Sequence, residues 1–191
     1  VIEKDERLRA MVAKDKNFTE DDKGYVLDLQ LRVMAEVVPL HRRLAESGQL
    51  ELTATPFFHP IVPLLCDPTQ ARVAIPSLPL PQPLFKAPDD AAAQIRMAVE
   101  YHEKSFGQKP RGMWPSEGSV SDDAAKLFKE AGLNWIATDE EILGNTIGVR
   151  FSRDASGTLE QPDKLYRPWR LNTPSGQIAM VFRDHVISDY V

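Results

Sequence analysis

A chain of 191 residues with net charge −5, 42% hydrophobic and 27% charged residues has the balance of a soluble globular protein with one core. It falls short of the roughly 250 residues of a complete (β/α) barrel. The acidic balance leaves no basic stripe for a nucleic acid, and a single cysteine, Cys66, excludes a disulfide framework and a Cys-based metal site.

No apolar run reaches the length of a membrane-spanning helix and no signal peptide is visible, so no membrane partner and a cytoplasmic location are expected. Residues 1–24 are strongly charged and predict one helix and a polar connection. Within it Asn17-Phe18-Thr19 matches a glycosylation sequon that no secretory context supports. From Tyr25, Val26, Leu29, Val33, Val37 and Leu44 recur at helical spacing. Pro39 is expected to kink this run or start a second helix, and Gly48 to end it.

Gln49–Pro56 alternates and is rich in Thr and Leu, which predicts a strand. Residues 67–89 are rich in proline and predict a long ordered loop. Asp89–Gly107 predicts a helix capped by Asp89 or Asp90, with Ile95, Val99 and His102 on one face. A short strand follows around Gly112–Pro115, then a helix from Ser121 to Gly132. "NWIATDEE" predicts a strand running into acids. Residues 144–170 are expected to be irregular, with a hairpin at "DASGT", and "QIAMVFRDHVISD" predicts a closing strand. Strands alternating with helices predict an α/β fold with a parallel sheet.

Each predicted strand ends in polar or aromatic residues. His59 follows the first, Trp114 and Glu117 the second, Asp139 and Glu140 the third, and Arg183, Asp184 and His185 the fourth. In a parallel barrel these C-terminal strand ends share one face, where active sites form. Carboxylates, an imidazole, an arginine and an indole, with no Gly-rich phosphate loop, suit a neutral polyhydroxylated ligand. Glycoside cleavage needs two carboxyl groups of different acidity. Glu117 is the candidate nucleophile, shielded by Trp114. Asp139, Glu140, Asp184 and Asp189 are its candidate partners, and the sequence does not choose among them.

"GQLELTATPFFHPIVPLL" followed by "GMWPSEGSVS" resembles two motifs of glycoside hydrolase family 57, and the resemblance extends through "NWIATDEEIL" and "FRDHVISDYV". It implies an incomplete (β/α)7 barrel and a retaining enzyme acting on an α-glucan or maltooligosaccharide, with no cofactor and no metal. Residue by residue, it implies Glu117 as nucleophile, Trp114 as a neighbouring substrate contact and His59 as a glucan-binding residue. "FRDHVISDYV" is similar to a stretch of the amylopullulanase-like branch, where Arg183, Asp184 and Asp189 are candidates for shaping the site.

Two family motifs are missing: an N-terminal His-Gln-Pro and the Asp-Gly-Glu-Asn-like run that carries the acid/base aspartate. Residues 1–191 are therefore expected to be an internal piece of a catalytic barrel that holds the nucleophile without its proton donor. Two other readings remain open from the residues: a metal-dependent carbohydrate deacetylase on a similar barrel, and a non-catalytic glucan-binding module. Structural roles compete at several positions. Glu117 suits a helix start, His59 a core contact, and Asp139 and Glu140 a helix cap; Cys66, His102, Trp135 and Trp169 suit packing.

Overall fold

A computed structural model describes residues 4–189. The chain divides into two units, residues 1–50 and 51–191. The first is helical. Helix α1 (Glu6–Lys14) starts where the Asp5 carboxylate accepts the Leu8 N–H. Helix α2 (Glu20–Glu46) opens with a reciprocal capping box between Thr19 and Asp22, which satisfies two N–H groups that a helix start leaves open. Thr19 of the sequon is thus a helix cap. One helix spans Pro39 rather than two, and Gly48 follows its end at φ 75°.

The second unit carries a sheet in the order β1-β2-β4-β3. Strands β1 (Gly112–Met113), β2 (Trp135–Asp139) and β4 (Gly176–Arg183) run parallel. Strand β3 (Trp169–Thr173) pairs antiparallel with β4 at the edge, starting at the end of the stretch expected to be irregular and running past it. The strand expected at Gln49–Pro56 is reduced to one parallel bridge between Ala54 and Met113, flanked by Trp114 N–H to Ala54 O at 2.8 Å. This is the α/β architecture of a partial barrel.

Helices cover one face of the sheet. Between the bridge and β1 come α3 (Val62–Cys66), the short α4 (Ala71–Ala74) and α5 (Pro88–Phe106). Helix α6 (Asp122–Glu130) joins β1 to β2, α7 (Glu140–Ile147) and α8 (Pro162–Leu165) lie between β2 and β3, and α9 (His185–Asp189) follows β4. The core joins Ile95 and Val99 of α5, Phe128 of α6, Val62 and Cys66 of α3, and Met113, Ile136 and Ile178 of the sheet. Buried His102 packs here too, its Nδ1 2.8 Å from the Gln108 carbonyl. Burial pushes the Cys66 thiol up, which suits an inert packing role.

Helix α5 starts one residue earlier than expected, with Pro88 in its first turn and no side-chain cap; Asp89 and Asp90 lie in that first turn, where negative charge suits the dipole. The proline-rich loop is tied at both ends by Lys86 to Asp67 at 2.7 Å and Ala87 N–H to Leu65 O at 2.8 Å. Among the described residues, no helix is long and apolar enough to cross a membrane.

Candidate active site at the strand ends

Parallel pairing brings the C-terminal ends of the Ala54 bridge, β1, β2 and β4 to one edge. Past Met113 the chain turns through Trp114 and the buried Pro115 and Ser116 to Glu117. The Thr138 hydroxyl, at the end of β2, donates to the Gly118 carbonyl at 2.5 Å and ties this turn to the sheet. Gly118 has φ +66°, and a Cβ added there would lie 3.4 Å from Cη2 of Trp114. The indole therefore lies against the turn that carries Glu117.

Glu117 itself has φ 56° and ψ 21°, the left-handed region that costs an L-residue roughly 1–2 kcal/mol. His59 has φ 59°. The two strained residues meet: Nε2 of His59 is 3.1 Å from Oε1 of Glu117. Nδ1 of His59 is 3.2 Å from the Thr55 hydroxyl. Their side chains stay open, 48% exposed for His59 and 71% for Glu117. Strain held at an exposed polar pair is the pattern of a functional site. Replacing Glu117 by Gly should relieve that strain and leave the chain about 0.5–1 kcal/mol more stable than Glu117→Ala, measured by urea unfolding of both variants.

The other candidate carboxylates form two ion-pair groups. Asp139 caps α7, accepting the Glu141 N–H at 3.0 Å. It also takes Arg183 Nε at 2.7 Å, directly across the ladder that pairs Asp139 with Arg183. Arg183 reaches Asp189 through Nη1 at 3.1 Å, and His185 lies 3.3 Å from Asp189. The Arg183 guanidinium is held further in its charged form, chiefly by the hydrogen bond to Asp139.

The second group is more buried. Arg153 donates to both oxygens of Glu140 at 2.7 and 2.5 Å and to Asp184 at 2.8 Å. The Tyr166 hydroxyl donates to the other Asp184 oxygen at 2.5 Å, and the Ile187 N–H donates to Asp184 at 3.1 Å. Burial works against ionisation of Asp184, but the bonds from Tyr166, Ile187 and Arg153 outweigh it and hold its carboxyl below the usual range. The hydrogen bond to Asp184 and burial push the Tyr166 hydroxyl up.

Of the residues expected at the site, the structure joins His59 to Glu117 and sets the Trp114 indole against Gly118 of the same turn, where it leaves Glu117 71% exposed rather than shielded. It gives Asp139, Arg183 and Asp189 to one ion-pair group and Glu140 and Asp184 to the other. Thr55, Arg153 and Tyr166 were not legible as partners. Trp135 donates to Glu51 at 2.7 Å and Trp169 to the Lys164 carbonyl at 2.9 Å, which are anchoring roles. Among the described residues, no three His, Cys, Asp or Glu side chains gather in a way that could hold a metal ion, so the metal-dependent deacetylase reading finds no ligand set there.

A family model described as Glycosyl hydrolase family 57 matches residues 6–191. The chain belongs to glycosyl hydrolase family 57. It is 28% identical over 97 residues to alpha-amylase 1 of Dictyoglomus thermophilum, covering 51% of this chain and 11% of that protein. Against an alpha-amylase of Pyrococcus horikoshii it is 26% identical over 117 residues, covering 61% and 15%.

Among solved structures of the same fold, an alpha-amylase from Thermotoga maritima superposes with TM-score 0.58 at 18% identity, covering 98% of this chain and 29% of that one. A family 57 branching enzyme from Thermococcus kodakaraensis gives 0.57 at 17%, covering 96% and 34%. A 4-alpha-glucanotransferase from Thermococcus litoralis gives 0.54 at 20%, covering 79% and 18%. The family 57 chain thus spans about a tenth to a third of the relatives it matches.

Proposed function

We propose that this family 57 chain carries the nucleophile side of the active site of a retaining glycoside hydrolase or glucanotransferase acting on α-glucans. The observation that carries this reading is the Glu117 carboxylate, exposed at a strand's C-terminal end and hydrogen-bonded to His59. In double displacement a carboxylate attacks the anomeric carbon while an acid protonates the leaving oxygen; water or another sugar then releases the glycosyl group. Glu117 must be ionised to attack, and Nε2 of His59 lies within hydrogen-bond reach of its Oε1 at 3.1 Å, where it can orient the carboxylate. Alpha-amylases, a 4-alpha-glucanotransferase and a branching enzyme among the relatives support the substrate class.

The acid needs a raised pKa. Asp184 moves the opposite way, and Glu140 and Asp139 are bound to arginines. Asp189 is bound to Arg183 in the same way, and the family resemblance implies an aspartate outside this chain as the proton donor. Within this proposal the "FRDHVISDYV" stretch supports the amylopullulanase-like branch, and Trp114 supplies an apolar wall to the sugar ring. Glu117→Gln in the full-length parent tests the assignment, with hydrolysis and glucan binding measured side by side.

A further inference from the structure

The imidazole of His59 has partners on both sides. Nε2 faces Glu117 at 3.1 Å and Nδ1 faces the Thr55 hydroxyl at 3.2 Å. Thr55 lies one residue beyond the Ala54 bridge to Met113, and the buried Pro56 follows it. The turn from Pro56 is closed by the His59 N–H on the Pro56 carbonyl at 2.8 Å. At its base, Gln94 of α5 accepts the Phe57 N–H on its carbonyl at 3.2 Å and the Phe58 N–H on its side chain at 2.9 Å. The backbone of residues 54–59 is thereby fixed to β1 and α5, and Thr55 presents its hydroxyl to the ring from that fixed frame.

From this geometry we infer that Thr55 is a positioning residue that keeps the His59 ring on Glu117 in both of the ring's charge states. The inference rests on the reading of Glu117 as nucleophile. A hydroxyl both donates and accepts. Facing a neutral ring, Thr55 donates to Nδ1, which leaves the proton on Nε2 to donate to the Glu117 carboxylate. Facing the imidazolium, the same hydroxyl accepts from Nδ1–H, and Nε2–H still donates to Glu117. An amide N–H or a carboxylate in place of Thr55 would suit one ring state and oppose the other. The His59–Glu117 contact is therefore open to the neutral ring and to the imidazolium alike.

Thr55→Val and Thr55→Ser separate the hydroxyl from the packing, since valine keeps the shape and serine keeps the oxygen. In the full-length parent, Thr55→Val should lower kcat on the order of 10-fold with KM little changed, because the loss is one of orientation. Thr55→Ser should restore most of the rate. On the 191-residue chain itself, ring nitrogen-15 NMR should show one neutral tautomer, Nε2–H, for His59 in the wild type and Thr55→Ser, and a mixture of tautomers in Thr55→Val. Full activity and a single tautomer in Thr55→Val would overturn the inference. So would activity that follows the methyl group, with valine active and serine impaired. Failure of the nucleophile assignment would show separately, as unchanged activity in Glu117→Gln.

Discussion

Glu117→Gln in the full-length parent should lower turnover on the order of 10⁴-fold, while binding of a maltooligosaccharide changes little. Glutamine keeps the size and a hydrogen-bonding oxygen but cannot form the glycosyl ester on which double displacement depends, and losing a nucleophile in other enzymes costs at least this much. His59 and Trp114 remain in place around the substituted side chain, so the ring-binding surface persists. Binding by isothermal titration and hydrolysis by reducing-end release separate the two effects. Unchanged hydrolysis would remove Glu117 from the chemistry and favour a non-catalytic glucan-binding module.

Arg153→Met should destabilise the chain by about 3–5 kcal/mol. Arg153 is 15% exposed, and Glu140 and Asp184, its two partners, are 6% and 7% exposed. Removing the guanidinium leaves two buried carboxylates facing each other without a counter-charge. The cost should fall when Glu140→Gln and Asp184→Asn are added, because the like charges then disappear together. Urea unfolding of the single and triple variants checks both statements. The group also sets a pH dependence. The Asp184 carboxyl is held below its ordinary value of 3.8, so its stabilisation is full above that value and is lost as pH falls through the folded one. Tyr166 is raised above 10.0; its contribution is full below that value and is lost as pH rises through the folded one.

The parts of this protein that rest on local rules were legible in the sequence. Helices α5 and α6 show an acidic first turn and a terminal glycine, and β2 is a short apolar run that ends in acids; the alternation of Gln49–Pro56, by contrast, gave only one bridge. The shared edge of the strand ends was legible too, because parallel strands bring their C-terminal ends together. The start of α7 was legible, with Asp139 as its cap and Glu140 and Glu141 in the first turn, but its course to Gly148 in left-handed conformation ran into the stretch expected to be irregular. Gly144, where irregular structure was expected to begin, lies within α7 and allows a close approach, since a Cβ there would lie 2.6 Å from the Val149 carbonyl.

Long-range pairings carry no such local trace. Strand β3 lies in a polar stretch and is defined by β4, through a turn in which Thr173 accepts the Ser175 N–H and donates to the Gly176 carbonyl. His59 and Glu117 are 58 positions apart, and the register of Ala54 on Met113 brings them together. Arg153 meets Glu140 and Asp184 from an insert whose composition reads as surface loop. Sequence spacing could supply the charges of that group but not their partners.

Covalent trapping tests the role of Glu117 as nucleophile most directly. The full-length parent is treated briefly with a 5-fluoro-α-glucosyl fluoride, which slows release of the glycosyl group more than its formation, then digested and analysed by mass spectrometry. A single added fluoroglucosyl group is expected on Glu117, within the peptide "GMWPSEGSVS". An adduct on a different carboxylate, or turnover of the reagent through an inverted product with no adduct at all, would contradict it.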